Sequence, residues 1–399
     1  MPPPRRSPIL PVTLAALAAL VLVCTGIYLG GHPDSLPAPL RNALVSDDVR
    51  TTQEAFAVIK DDYYRKVTTG RLVNDGITGA VRSLDDRFSN YLDPTAYRRF
   101  LEQSKGRFSG IGTEVVQDPA GLRITRVFPG TPAAKAGIRV GERVVAVNGK
   151  SIAGRPSEET TALIRGKPGT FVTITLQSGR PPRRRQVRVA RAQVSTPSVT
   201  GRLRTVNGVK VGYDAVSGFT SGVHGELRQA IDRQRRAGAR GFLLDLRDNG
   251  GGLLNEAVLV SSIFIDRGTI VTTKGRMQQA TKVYEATGGA IKGGFPIVVL
   301  VNHDTASASE IVTAALQERR GAKVVGTRTF GKGVFQEVKE LSNGGALDIT
   351  VGEYFTPNGH NLGGGGVKEG AGIAPTVAVK GPAGRQLDVA LRTLAAESH

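Results

Sequence analysis

The stretch from Asp304 to Gln336 constrains this chain more than any other. It reads D-T-A-S-A-S-E-I-V-T-A-A-L-Q-E-R-R-G-A-K-V-V-G-T-R-T-F-G-K-G-V-F-Q. Pro296 to Val301 precedes it as a buried strand and delivers Ser307. Small residues and serines then open a helical pattern. Ile311, Val312, Ala315 and Leu316 are its apolar positions, and Glu318, Arg319 and Arg320 its polar ones. Gly321 ends the helix, and Lys323 to Val325 is a short β-like run. Gly331 and Gly333 bracket a single lysine, Lys332, 25 residues after Ser307.

That serine and that lysine could act together. A serine hydroxyl is a poor nucleophile until a base takes its proton. Lysine is a base only when neutral. Moving its pKa from ~10.4 to ~7 disfavours the ammonium by about 4.6 kcal/mol, and burial alone shifts lysines by ~3–5 units. Phe330 and Phe335 are the apolar neighbours expected to supply that burial. Backbone N–H groups at the helix start would face a developing oxyanion. Each residue also has an ordinary reading. A serine before a helix is commonly an N-cap, and a lysine between glycines is commonly a solvated loop charge. The local pattern leaves both readings open.

T-A-S-A-S-E-I and T-F-G-K-G-x-x-Q, at this separation, resemble the catalytic segments of the C-terminal processing peptidases. These are serine proteases with a Ser/Lys dyad, often carrying a PDZ domain. The resemblance implies that Ser307 is the nucleophile, Lys332 the general base and Gln336 the residue that orients the lysine. By the same alignment Ser309 is not the nucleophile. The resemblance runs over nearly the whole chain from about residue 50.

Ahead of that region, Ile9 to Leu29 is an uncharged run of 21 residues. At ~1.5 Å per residue it spans about 31 Å, matching a hydrocarbon core of ~30 Å. Arg5 and Arg6 precede it, which keeps the N-terminus inside and sends the rest outside. The small-x-small pattern of a cleaved signal is poor around Cys24 to Gly31, so the run reads as an uncleaved membrane anchor. His32 to Arg41, with its three prolines, is a spacer.

Asp47 to Tyr64 and Leu72 to Leu84 have helical periods. S-L-D-D-R-F-S-N-Y-L-D-P, residues 83–94, follows as a turn-rich connector with buried Phe88, Tyr91 and Leu92. It resembles the signature that precedes the PDZ domain in the same peptidases. Residues 106–192 read as a small β-rich module. Its P-G-T-P-A-A-K-A-G-I segment forms a short helix ended by Gly137, and Asn148-Gly149 is a tight turn. Order and motif resemble a PDZ domain. Ser109, Gly110, Ile111 and Gly112 then match the carboxylate-binding loop, where successive N–H groups converge on an anion. A peptide would add as a strand along Ile111 to Val116.

Gly241 to Leu246 is a continuous apolar strand of the kind buried in a parallel or mixed sheet. It runs into R-D-N-G-G-G-L-L, where glycines permit close backbone approach. The resemblance is to D-L-R-x-N-x-G-G-x-L, and it implies an oxyanion hole made by the amides of Gly251 and Ala308. Gly250 stands where many relatives carry proline, which loosens the loop. The Gly363 to Gly366 run is a departure in a region not expected to do chemistry.

The expected architecture is a mixed α/β peptidase core with an inserted PDZ domain and an N-terminal transmembrane helix. Residues 1–31 are the stub and anchor, 32–46 a linker, 47–105 an N-terminal helical region, 106–192 the PDZ domain and 193–399 the peptidase core. The expected activity is an extracytoplasmic, membrane-anchored serine endopeptidase acting on proteins with free C-termini. A catalytically silent PDZ adaptor is the first alternative, and Ser307, Lys332 and Gln336 together argue against it. A Ser/His/Asp protease is the second, but His303 and Asp304 lie too close along one turn to reach Ser307, and His224 and His360 lack a supporting pattern. The five histidines show no metal-ligand spacing, the single cysteine excludes an intrachain disulfide, and no nucleotide motif appears, so no cofactor is expected. The formal charge of +19 reads as arginine spread over a solvated surface. The run Arg183 to Arg185 lacks the interleaved aromatics of a nucleic-acid site. The sequence leaves a homo-oligomer or a regulatory partner open.

Overall fold

The structure is a computed structural model that describes residues 46–179 and 181–398. The run Ile9 to Leu29 lies outside the described residues. Among those described, no helix is long and apolar enough to cross a membrane. The chain divides into two compact units between Ser83 and Leu84. The first contains α1 (Asp47–Asp62) and α2 (Thr69–Arg82). Thr68 begins α2 by accepting the Arg71 N–H at 3.3 Å.

The second unit opens with β1 (Asn90–Leu92) and α3 (Pro94–Ser104). Asp93 caps α3 by accepting from the N–H groups of Thr95 and Ala96 at 2.7 and 2.8 Å, and Pro94 fits the first helical position. The β-rich module follows. It contains β2 (Arg107–Gly110), β3 (Thr113–Asp118), β4 (Gly121–Val127), α4 (Pro132–Lys135), β5 (Arg143–Val147), β6 (Lys150–Ser151), α5 (Ser157–Ile164), β7 (Phe171–Ser178), β8 (Arg183–Ala190) and β9 (Ala192–Ser195). Its sheet runs β3-β4-β5-β7-β8, with β6 paired to β5. Strand β3 is an edge, paired only to β4. Strands β2 and β9 pair where the chain enters and leaves the module. The arginine-rich run is not merely a solvated charge cluster. It forms β8, paired with β7 along its length, with Arg185 bound to Glu142 at 2.9 Å and the Arg188 guanidinium 4.1 Å from the Phe171 ring centre.

The remaining elements are β10 (Val199–Val206), β11 (Val209–Val216), α6 (Val223–Arg236), β12 (Phe242–Asp245), α7 (Leu254–Ser262), β13 (Thr269–Gly275), β14 (Lys282–Glu285), β15 (Ile297–Val301), α8 (Ala308–Arg320), β16 (Lys323–Gly326), β17 (Val334–Glu340), β18 (Ala346–Phe355), β19 (Val377–Ala378) and α9 (Ala383–Glu397). One sheet runs β10-β11-β12-β15-β16-β19, parallel from β11 onward. It is buried on both faces. Phe242, Leu244, Ile297 and Val299 pack with α6, α7 and α8, while Leu243, Val298 and Leu300 pack with Ala390 and Leu394 of α9. This is why β12 and β15 are apolar at every position bar Asp245, without alternation. Each such buried side chain contributes about 1.5–3 kcal/mol. A second sheet runs β1-β18-β13-β14, with β17 on β18. The first sheet carries Ser307 at the end of β15, and the second carries the turn of Lys332 into β17.

Candidate active site

Ser307 sits at the N-cap of α8, where β15 has just ended. Its backbone has φ 55° and ψ −117°, a conformation that a side chain-bearing residue holds only when its surroundings impose it. Several bonds impose it. Asn302 Nδ2 donates to Asp248 Oδ1 at 2.6 Å, the Ala306 N–H to Asn249 O at 3.1 Å, and Ser309 Oγ to Asn249 O at 2.8 Å. The serine turn is thus stitched to the 246–252 loop. Ser309 is fully buried in that stitch, whereas Ser307 keeps 8% exposure.

The 246–252 loop approaches Ser307 closely. A Cβ on Gly251 would lie 2.9 Å from Ser307 Cβ and 3.0 Å from Ala308 N, and its φ is 106°. Glycine is required there for both reasons. Its N–H differs from the expectation, however. It donates to Asn249 Oδ1 at 2.9 Å and is not free for an oxyanion. The short Asn249 side chain folds back on its own backbone, as Asx turns do. The Ala308 N–H, at the first position of α8, has no acceptor among the described residues.

Lys332 bonds Gln336, the residue expected to orient it, but the ring beside its amine is not one of those expected. Its Nζ donates to Gln336 Oε1 at 2.8 Å, and Gln336 Nε2 donates to Thr350 Oγ1 at 2.9 Å. A β-bulge between Phe335 and Gln336 aims the amide. The aromatic ring over the amine is Phe88, 4.6 Å from Nζ, and neither Phe330 nor Phe335 takes that place. Phe335 instead stacks on Tyr354 with centres 5.3 Å apart, and Phe330 meets the His303 ring edge-on at 5.9 Å. Burial pushes the Lys332 pKa down, and the carboxylates of Asp348, Asp86 and Glu310 push partly back. The flanking glycines have a steric cause. A Cβ on Gly331 would lie 2.4 Å from Lys368 O, and one on Gly333 2.4 Å from Gly363 N. The glycine run at 363–366 therefore buttresses the lysine turn.

No hydrogen bond joins Ser307 Oγ to Lys332 Nζ in this arrangement. The phenol of Tyr354 is buried near Ser307, and burial raises its pKa. The two residues are joined through Glu310, which is wholly buried. Its Oε2 accepts the N–H groups of Ser307 (2.8 Å) and Lys332 (2.9 Å), and its Oε1 accepts Thr329 Oγ1 (2.6 Å) and the Gly331 N–H (2.7 Å). Burial raises the Glu310 pKa, and these four bonds oppose the rise. Sequence reasoning passed over Glu310, although Ser307-x-x-Glu310 is a capping-box spacing that signals it. Asn249, Tyr354 and Thr350 carried no such signal.

The four residues expected to bind a carboxylate divide in two. Ser109 and Gly110 belong to β2, and Ser109 Oγ donates to Gly166 O. The N–H groups of Ile111 and Gly112 have no acceptor among the described residues, and they lie beside the open edge of β3. Gly112, at φ 92°, turns the chain there.

Of the histidines weighed as bases, His224 Nδ1 pairs with Glu256 at 2.7 Å and His303 Nδ1 lies 3.6 Å from Asp304, and neither is bonded to Ser307.

The chain is similar to known proteins in family and fold. Residues 210–379 match Peptidase family S41, 123–178 match PDZ domain, and 38–96 match Activating protease CtpB N-terminal domain. A "Probable CtpA-like serine protease" of Staphylococcus aureus (strain bovine RF122 / ET3-1) is 35% identical over 94% of this chain and 72% of its own length. The protein of the same name from Staphylococcus haemolyticus (strain JCSC1435) is 34% identical over 86% of this chain and 67% of its own. The crystal structure titled "Putative S41 protease" from Bacteroides fragilis NCTC 9343 superposes with a TM-score of 0.51 at 19% identity, covering 85% of this chain and 95% of that one, which shows a shared fold.

Proposed function

The chain belongs to peptidase family S41 and is a C-terminal processing serine protease with a PDZ domain, and from that premise we propose that Ser307 and Lys332 are its catalytic dyad. The observation that carries this is the state of Lys332: a half-buried amine, bonded to a neutral amide and lowered in pKa by desolvation. Neutral Lys332 takes the Ser307 proton as the hydroxyl attacks the scissile carbonyl. The Ala308 N–H and the positive end of α8 receive the oxyanion. The protonated lysine returns its proton to the leaving amine, and water then hydrolyses the acyl-serine. Gln336 keeps Nζ aimed throughout. The step requires the Nζ lone pair to reach the Ser307 hydroxyl while an N–H of the amine stays on Gln336 Oε1, a tightening common when substrate arrives.

The PDZ domain presents substrates by their free C-termini, with the carboxylate at the Ile111 and Gly112 amides and the chain along β3. Ile9 to Leu29 anchors the protein, and its bulk lies outside the cytoplasm.

Digestion of casein by the full-length protein, compared with Ser307→Ala and Lys332→Ala, tests the dyad. Both variants are expected to be inactive and folded, and an active Ser307→Ala would overturn the assignment. For the anchor, protease added to intact cells should degrade the protein and high salt should not extract it. A mature N-terminus beyond Leu29 would establish a cleaved form instead.

A further inference from the structure

The positive charge of this chain is concentrated in one module. Residues 106–192 hold 16 of its 53 Lys and Arg but 5 of its 34 Asp and Glu, and so carry more than half of the net +19. The sheet of that module has two unlike faces. Leu122, Val144, Ile174 and Val189 share a core with Ala133 of α4 and Ile164 of α5. Side chains alternate along a strand, so the intervening residues face away from both helices. Strand register aligns four of them in one row. Arg123 of β4 opposes Arg143 of β5, Arg143 opposes Gln177 of β7, and Gln177 opposes Arg184 of β8. At ~4.8 Å per strand the row spans about 14 Å. Arg188, further along the same face of β8, lays its guanidinium over Phe171, which is 51% exposed.

We propose that this sheet face is a docking surface for an anionic lipid bilayer, with the guanidinium groups of Arg123, Arg184 and Arg188 on phosphodiester headgroups. Like charges directly opposite one another destabilise a sheet, yet Arg123 and Arg143 are so placed. Among the described residues, the carboxylate paired into the row is Asp118, on Arg143 at 2.9 Å and in the field of Arg123. Arg184 has a neutral partner, Gln177 Oε1 at 3.2 Å. One carboxylate against three arginines leaves an excess of positive charge that anionic headgroups would offset. The shape favours a bilayer over a peptide. The face is broad and carries no helix, so it meets a plane of phosphates, and arginine forks take phosphate oxygens in pairs. An open cavity of about 530 Å³, lined by Val145, Ala146, Thr175, Gln177 and Arg184, gives a headgroup room. Phe171 under Arg188 joins an apolar ring to a cation, a pairing suited to the boundary between headgroups and chains.

Docking of this face leaves the peptide edge accessible. Strand β8 closes one end of the sheet and β3 the other, and the unpaired backbone of β3 points out in the plane of the sheet. The proposal adds a second membrane contact to the anchor reading and stands without it. Where the anchor holds the chain at a bilayer, headgroup contacts are intramolecular and need only be weak individually. They are electrostatic, so salt screens them, whereas it does not extract an apolar anchor.

The test is energy transfer from the module to the bilayer. Full-length protein carrying Cys24→Ser takes a donor dye at Gln186→Cys, an exposed position of the same face. It is combined at low salt with vesicles of phosphatidylglycerol or of phosphatidylcholine, each holding an acceptor-labelled lipid. Transfer should be at least about twofold higher on phosphatidylglycerol. The excess should vanish at 1 M salt, where the Debye length is about 3 Å. It should also vanish in the triple variant Arg123→Gln, Arg184→Gln, Arg188→Gln, whose folding is checked by thermal melting. Equal transfer on the two lipids, or an excess that survives in the triple variant, would overturn the proposal. Should the triple variant not fold, an excess that survives 1 M salt in the unsubstituted protein overturns it alone. Equal transfer combined with arginine-dependent binding to soluble polyglutamate would assign the face to an acidic protein and likewise overturn it. Flotation at 1 M salt reports the anchor separately. Protein that leaves the vesicles there, yet shows the excess at low salt, would remove the anchor reading and support this one.

Discussion

Ser307 and Lys332 meet backbone to backbone: their N–H groups donate to the same oxygen, Oε2 of Glu310, at 2.8 and 2.9 Å. The turn that carries Ser307 and the turn that carries Lys332 therefore share one buried anchor. Their relative position is set by a carboxylate that contacts neither reactive atom.

Glu310→Gln should disrupt that anchor. An amide offers one accepting oxygen, and its NH₂ would face two donors wherever it points. Casein hydrolysis should fall by at least about 100-fold, and stability by about 2–4 kcal/mol for buried groups left unsatisfied. Denaturant titration alongside the activity assay separates the two effects. Wild-type activity in Glu310→Gln would show that the anchor is dispensable.

Lys332→Arg should be as inactive as Lys332→Ala. Arginine keeps the charge but does not deprotonate at usable pH. In the wild type, the lysine pKa is lowered by burial, so the rate should rise as pH rises through that lowered value. An active arginine variant would make the lysine a charge stabiliser and not a base.

Ser309→Ala should stay active. It loses the 2.8 Å bond to Asn249 O, worth about 1 kcal/mol, and its melting temperature should drop by a few degrees. A dead Ser309→Ala beside an active Ser307→Ala would reverse the nucleophile assignment.

Asp214 gives the fold a pH dependence away from the site. Burial pushes its pKa up to about 7, against the opposing Gln234 bond and Arg233 charge. Its Oδ2 and the Gln234 Oε1 are both buried without a donor, while Gln234 Nε2 donates to Oδ1 at 2.8 Å. A proton on Asp214 would complete an acid–amide pair. The native state then holds a proton that an unfolded aspartate releases near pH 4. Its stabilising contribution is full below pH ~4 and is lost as pH rises through about 7. Asp214→Asn, an amide that needs no proton, should be more stable than wild type at pH 8, on the order of 3 kcal/mol, with a flatter melting profile between pH 4 and 7. Identical profiles would show that Asp214 is ionised in the fold.

C-terminal amidation should weaken peptide binding to the PDZ domain by about 10- to 150-fold, the equivalent of one charged hydrogen bond of roughly 1.5–3 kcal/mol. The unpartnered amides of Ile111 and Gly112 are the reason. Fluorescence anisotropy of one peptide as acid and amide measures it, and equal affinity would mean the terminus is not read there.

The sequence by itself determined the local elements and singled out the pair proposed to react. Apolar runs without alternation at Gly241 to Leu246 and Pro296 to Val301 require a sheet covered on both faces. The helical period after Ser307, ended by Gly321, places that serine at a helix start. The paired motifs with Lys332 and Gln336 point to the chemistry. Each is a short-range signal, carried by residues within one turn or one strand. Only the tertiary structure decided what surrounds the lysine. Phe88 and Asp86 come from some 240 residues upstream because β1 pairs with β18, whereas Phe330 and Phe335, its neighbours in sequence, turn to His303 and Tyr354. It also decided that the Gly251 N–H is spent on Asn249 and that Arg183 to Ala190 is a strand. These outcomes depend on strand pairing and hydrogen-bond competition between distant segments. No periodicity within a single segment records them.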